Sequence, residues 1–234
     1  MSTVLILGSG PNVLECRAWD RAPFDRIVAI NNAWAVRPDW DDLIFPDDFE
    51  ASRQPVDMQT EQRFIRATDY VPVQNQFGGF VYAGGTMTFT AGYWALGAMM
   101  PKVIAMIGCD MIYDTAKTHF YGNGTADPLR DDKTLRSLEA KSARFQALAA
   151  RAGCAVVNLS TAKSRLTFPR STPAQAAACT PLQYNETLIA AALQEEQRLG
   201  YYVPSGKYWK EADRFSADAI DAIDALWLKA IQPL

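Results

Sequence analysis

The residues of this chain best suited to chemistry fall in a few short runs, each directly after an apolar stretch. Gly8, Ser9, Gly10, Pro11 and Asn12 follow Val4 to Leu7. Glycines at a strand-to-helix turn let backbone N–H groups approach an anion, and a helix end adds positive potential, so this run has the makings of a phosphate site. The match to known fingerprints is partial. Val13 stands where G-x-G-x-x-G places its third glycine, and the lysine of a P-loop is absent. A tight turn that binds nothing is the alternative reading of the same residues.

Asn31 and Asn32 end the second apolar run, where many dinucleotide folds carry an acid for a ribose hydroxyl. An amide at that place argues against NAD and for a different mode of base or ribose recognition. Asp47 and Asp48 follow Pro46 and could hold a metal or a sugar hydroxyl, or form a solvated turn. Asp110 follows a buried strand and a glycine, where a carboxylate is costly unless hydrogen-bonded or functional. It ranks above Asp47. His119, the single histidine, lies in a long polar stretch from Gly108 to Asp132, and a neutral imidazole on such a loop can accept a proton. Tyr113 and Tyr121 in the same stretch can donate to phosphate oxygens or cover the rim of the core.

The elements that must position these residues alternate in type. Val4–Leu7, Arg26–Ile30, Leu43–Phe45, Val103–Ile107 and Ala155–Leu159 read as buried parallel strands. A brief helix is expected over Val13 to Trp19, and longer ones over Met87–Met100 and Thr134–Ala152. Glu61–Ala67 is expected to be helical, whereas Tyr70–Val73 and Phe80–Tyr82 look strand-like, separated by Gly78 and Gly79. Leu182–Leu199 and Ser216–Ile231 predict two final helices, joined by an aromatic linker from Tyr201 to Trp209. The whole predicts a doubly wound, mostly parallel Rossmann-like α/β sheet over residues 1–180, with a C-terminal helical appendage over 181–234 packed on that core. Such sheets bind ligands beyond the carboxyl ends of their strands, and Gly8–Asn12, Asn31, Asn32, Asp47, Asp48, Gly108–Asp110 and Ser160 each fall just after a predicted strand.

Bulk properties narrow the function classes. With 49% hydrophobic and 21% charged residues the chain should fold without a partner, and a net charge of −3 gives no field for nucleic acid or an anionic membrane. No apolar run approaches the roughly 20 residues of a membrane span, and the opening residues carry no leader-like pattern, so a cytoplasmic location is expected. Cys16, Cys109, Cys154 and Cys179 are widely spaced, which predicts free and mostly buried thiols and no zinc set.

Taken together, Gly8-Ser-Gly-Pro-Asn12, Asn31-Asn32, Thr90-Ala-Gly92, Gly108-Cys-Asp-Met-Ile-Tyr113, the His119 loop and Asn158-Leu-Ser160 resemble motifs of the bacterial sialyltransferases that use CMP-sialic acid. Related phage and archaeal pterin-diphosphokinase-like proteins share the pattern, which runs over about two thirds of the chain. The resemblance implies that Gly8, Gly10 and Asn31 or Asn32 contact the nucleotide, along with Ser9, Pro11, Asn12, Thr90 and Ser160 in the matching motifs. It further implies that Tyr113 steadies the departing phosphate without a metal, with Asp110 beside it. The base in that family is a second histidine in the loop, whose counterpart here is Tyr121 or Asn123, which leaves His119 to act in its stead. Ala91 stands where relatives often carry serine.

Three readings follow. A glycosyltransferase would use a CMP-type nucleotide-sugar donor as substrate, with no separate cofactor. A diphosphokinase-like transferase would need Mg²⁺ on Asp47, Asp48 or Asp110. A non-enzymatic nucleotide-binding or assembly protein would use the same scaffold, with Tyr201, Tyr202, Tyr208 and Trp209 covering a partner or the site. The partner in each case is a small nucleotide or nucleotide sugar, with neither nucleic acid nor a membrane, and with room for a homo-oligomer.

Overall fold

The computed structural model describes residues 2–113, 118–122 and 131–232. Six strands form one parallel sheet: β1 (Thr3–Leu7), β2 (Arg26–Ile30), β3 (Asp42–Ile44), β4 (Arg63–Ile65), β5 (Val103–Ile107) and β6 (Ala155–Asn158), in the order β4-β3-β2-β1-β5-β6. The chain steps outward from β1 to β4, then returns to place β5 on the other side of β1. The reversal between β1 and β5 is the switch point at which doubly wound sheets bind ligands. The expected fold is therefore the observed one.

Continuous apolar runs build this sheet because both of its faces are covered. Val4, Ile6, Val28 and Met106 point to one face, and Leu5, Leu7, Ile27 and Ile107 point to the other. The first face meets full helices: α1 (Ala67–Asn75), α2 (Phe80–Ala83), α3 (Met87–Met99) and α4 (Leu138–Arg151). The second is closed by short 3₁₀ segments, Pro11–Ala18 and Asn31–Ala35, and by α5 (Pro173–Ala176). Tight 3₁₀ turns keep the crossovers short, which brings the ends of β1, β2 and β3 close together at the carboxyl edge.

The chain departs from expectation between 61 and 83. Residues 63–65 are not helical. They form the edge strand β4, whose Arg63 pairs in register with Asp42 and donates from Nε to its Oδ1 at 2.5 Å. Tyr70–Val73 and Phe80–Tyr82 are not strands but parts of α1 and α2. Their aromatic and β-branched residues suggested strands, and packing overrides that propensity: α1 lies so close to α3 that a Cβ on Gly97 would meet Val73 at 2.6 Å.

At the C-terminus, α6 (Glu186–Leu199) and α7 (Ala217–Ala230) cover the outer side of α4. Lys141 and Arg144 of α4 are buried there, and each meets an acid of the appended helices: Lys141 Nζ lies 2.7 Å from Asp224, and Arg144 forms a two-pronged pair with Glu196, 2.8 Å on each arm. Tyr93 and Trp227 complete the cluster, Tyr93 Oη accepting from Arg144 and Trp227 Nε1 donating to Glu196. No helix among the described residues is long and apolar enough to cross a membrane.

Candidate functional site

Two polar groups occupy the carboxyl edge of the sheet, and they differ in character. The first is a closed network over the ends of β1, β5 and β6. Asn12 Nδ2 donates to Asp110 Oδ2 at 2.7 Å and to Ser160 Oγ at 2.5 Å. Asn158 Nδ2 donates to the other carboxylate oxygen, Asp110 Oδ1, at 2.9 Å, and Asn158 Oδ1 accepts from the Ser160 amide. The Arg170 guanidinium stands 3.9 Å from Asp110. Asp110 and Ser160 are both buried. A buried carboxylate is tolerated because amides from two directions satisfy it. Asn12, Asp110 and Ser160 thus tie three strand ends together. Both Asp110 oxygens are engaged and Asp47 and Asp48 are exposed, and among the described residues no group of three or more His, Cys, Asp or Glu side chains converges as a metal site.

The glycine turn belongs to the same packing. The amides of Gly8 and Gly10 donate to the carbonyls of Ile107 and Gly108, both at 2.8 Å. Side chains are excluded for the same reason, since a Cβ on Gly8 would lie 2.2 Å from the Gly108 oxygen. Here the structure corrects the expectation that these two amides face an anion. They are turned toward β5 instead, which leaves Ser9 and Asn12 as the turn's amides without a backbone acceptor among the described residues. Pro11 opens the 3₁₀ segment, and Val13 fills the space under Gly108, whose φ of +71° suits glycine. Cys109 lies against this turn, but burial pushes its thiol up to about 12, so it is no nucleophile near neutral pH. All four cysteines are free thiols, with Cys16, Cys109 and Cys154 buried and Cys179 half-buried.

The second group is open. Phe120 N donates to the Ser9 carbonyl at 2.9 Å, and His119 and Gly122 bridge each other at 3.0 and 3.1 Å, so a tight hairpin is fastened to the first turn. His119 Nδ1 lies 2.8 Å from Thr118 Oγ1, and its ring stacks on Tyr121 with centroids 5.1 Å apart, while Tyr113 is 6.4 Å away. Burial, aided by the charge of Arg53, holds the His119 imidazole below its ordinary pKa, so it is neutral at neutral pH. Next to it, Asn32, Trp34, Ala35, Arg53, Phe120 and Tyr121 line a cleft of about 310 Å³. Asn32 Oδ1 accepts from Arg53 Nε at 3.2 Å. Asn31 holds φ at +51°, a left-handed conformation that asparagine tolerates, and its Oδ1 is buried with no hydrogen-bond partner among the described residues.

Of the residues expected at the site, Asn32 lines this cleft, Asn31 and His119 each adjoin a lining residue in the chain, Tyr113 packs on the first-face core with its ring 6.4 Å from that of His119, and Ser9 anchors the hairpin. Asn12, Asp110 and Ser160 lie in the closed network. Thr90 is sealed between α3 and the sheet at 2% exposure, away from the cleft lining. Asn123 lies outside the described residues. Sequence reasoning missed Arg53 and Trp34. Neither belongs to a spaced motif, and only the position of Arg53 in the loop after β3 could have flagged it.

Compared with protein-family models, curated proteins and solved structures, the chain matches none.

Proposed function

We propose that this protein is a nucleotide-sugar-dependent glycosyltransferase, its donor of the CMP-sugar type seated at the carboxyl edge of β1 and β2. The observation that carries the proposal is the His119 hairpin: a neutral, half-buried imidazole fastened to the glycine turn and stacked on Tyr121, which with Phe120 lines the neighbouring cleft. A base needs an unprotonated nitrogen near the operating pH, and the neutral His119 imidazole carries one in either tautomer. His119 then takes the proton of an acceptor hydroxyl as that oxygen attacks the anomeric carbon. The bond from this carbon to the phosphate oxygen breaks, and the phosphate leaves with the electron pair, its new charge met by the Tyr113 hydroxyl. The unpaired Asn31 acceptor suits a ligand N–H or O–H group. The motif resemblance noted above supports the same reading, and the free thiols suit a cytoplasmic setting.

The test is thermal stabilisation by CMP, UDP, GDP and ADP with and without Mg²⁺, followed by donor turnover in His119→Ala. Stabilisation by CMP, independent of Mg²⁺, with turnover lost and nucleotide binding kept in the variant, is expected. No stabilisation by any nucleotide would refute the reading.

A further inference from the structure

The glycine turn supplies no charge to the cleft, and two of its amides are engaged with β5. An anionic ligand there needs another counter-charge. Arg53 lies in a 3₁₀ turn, Ala51–Arg53, after β3, with its guanidinium carbon 5.3 Å from the Phe49 ring and 5.7 Å from the Tyr121 ring. Its Nε donates to Asn32 Oδ1, and its carbonyl accepts from Trp34 Nε1 at 2.9 Å. Backbone and side chain are therefore both fixed, at the wall of the cleft.

Most other arginines of the described residues meet a carboxylate, whereas Arg17 donates to the Val36 carbonyl and Arg66 lies over the Phe45 and Phe64 rings. Arg26 and Arg63 share Asp42, Arg37 meets Asp39, Arg144 meets Glu196 and Arg136 meets Asp221. Arg53 has no carboxylate within ion-pair distance among the described residues, and its terminal nitrogens have no acceptor there. A preorganised, half-buried guanidinium whose outer edge is unoccupied matches the two oxygens of a phosphoryl or carboxylate group. We infer that Arg53 is the oxyanion-binding residue of this cleft, taking one anionic group of the ligand in a two-pronged hydrogen bond. The inference rests on the reading of the cleft as the ligand site, but not on the ligand being a nucleotide.

Calorimetric titration of wild type, Arg53→Lys and Arg53→Gln with CMP, cytidine, inorganic phosphate and glucuronate tests it. If the anion is a phosphoryl group, CMP affinity falls about tenfold or more in Arg53→Gln while cytidine affinity holds, and Arg53→Lys restores it only in part because an ammonium lacks the fork. If the anion is a sugar carboxylate, glucuronate binding shows that loss and CMP does not. Should phosphate or glucuronate bind in an Arg53-dependent way while CMP and cytidine fail to bind wild type, the oxyanion site stands and the nucleotide reading falls. Equal weakening of CMP and cytidine, or binding of every anion unchanged in Arg53→Gln, or no anion bound by wild type, overturns the inference.

Discussion

The amide of Phe120 donates to the carbonyl of Ser9 at 2.9 Å, so the hairpin that carries the single histidine is fastened to the turn that leaves the central strand. This bond makes the glycine turn a foundation for the site. Its glycines are required by the approach of β5 at the switch point, and the group able to take a proton is held one residue from the anchor.

Gly8→Ala forces a methyl group to within 2.2 Å of the Gly108 oxygen, against backbone that cannot swing aside. A loss of about 3 kcal/mol or more in stability is expected by urea denaturation. Gly10→Ala, with its closest contact at 2.9 Å, should lose less. Equal tolerance of both changes would show that the β1 and β5 turns are not packed this way.

Asp110→Ala removes one of the two acceptors of each of the Asn12 and Asn158 amides, Ser160 and Ser164 hydroxyls remaining, for an expected loss of about 1–3 kcal/mol. Asp110→Asn, which keeps one acceptor oxygen, should lose less. The readout is the denaturation midpoint. Because Asp110 acts here by holding strand ends, nucleotide affinity per folded molecule should change little in Asp110→Asn.

Glu196→Ala strands the Arg144 guanidinium in the interior, where removing one partner of a buried pair costs about 3–5 kcal/mol. Trp227 Nε1 loses its acceptor as well. By the same logic a chain cut before α6 exposes the outer side of α4 with two unneutralised cations. It should fail to give a cooperative thermal transition in calorimetry.

The pH dependence of His119 has a defined sign. Its folded pKa lies below the unfolded value of about 6.5, from burial first and Arg53 second. Below that pH the unfolded chain takes a proton that the folded chain takes only at lower pH, so this contribution to stability is complete above pH ~6.5 and declines as pH falls. His119→Asn should remove that part of the slope. Arg53→Gln should raise the histidine's titration midpoint, followed by NMR of its ring protons, yet leave it under the ordinary value because burial persists. A midpoint unmoved by Arg53→Gln would place the two side chains farther apart than described here.

Much of the fold was legible in the residues themselves. Val4–Leu7, Ile27–Ile30 and Val103–Ile107 are apolar throughout, and a strand covered on both faces needs that pattern, so the sheet and its carboxyl edge followed from the chain alone. Asn31, Asn32, Asp110 and Ser160 lie on that edge by position directly after a strand. Residues 61–83 misled, because short segments with mixed propensity take their conformation from neighbours: Arg63 becomes strand by pairing beside Asp42, and Val73 becomes helix by packing on Gly97.

The sequence by itself determined the parallel α/β plan and the cluster of polar residues at one end of it, since both depend on patterns local to each strand and its following turn. Tertiary structure alone decided which of those residues are tied to one another and which face a cleft. Asn12, Asp110 and Ser160 are linked across 98 and 148 positions of chain, and Arg53 reaches Asn32 across 21. Such partners meet only when separate strands stop side by side, and no spacing in the chain encodes that meeting. Lys141 and Arg144 are buried only because α6 and α7 close over α4.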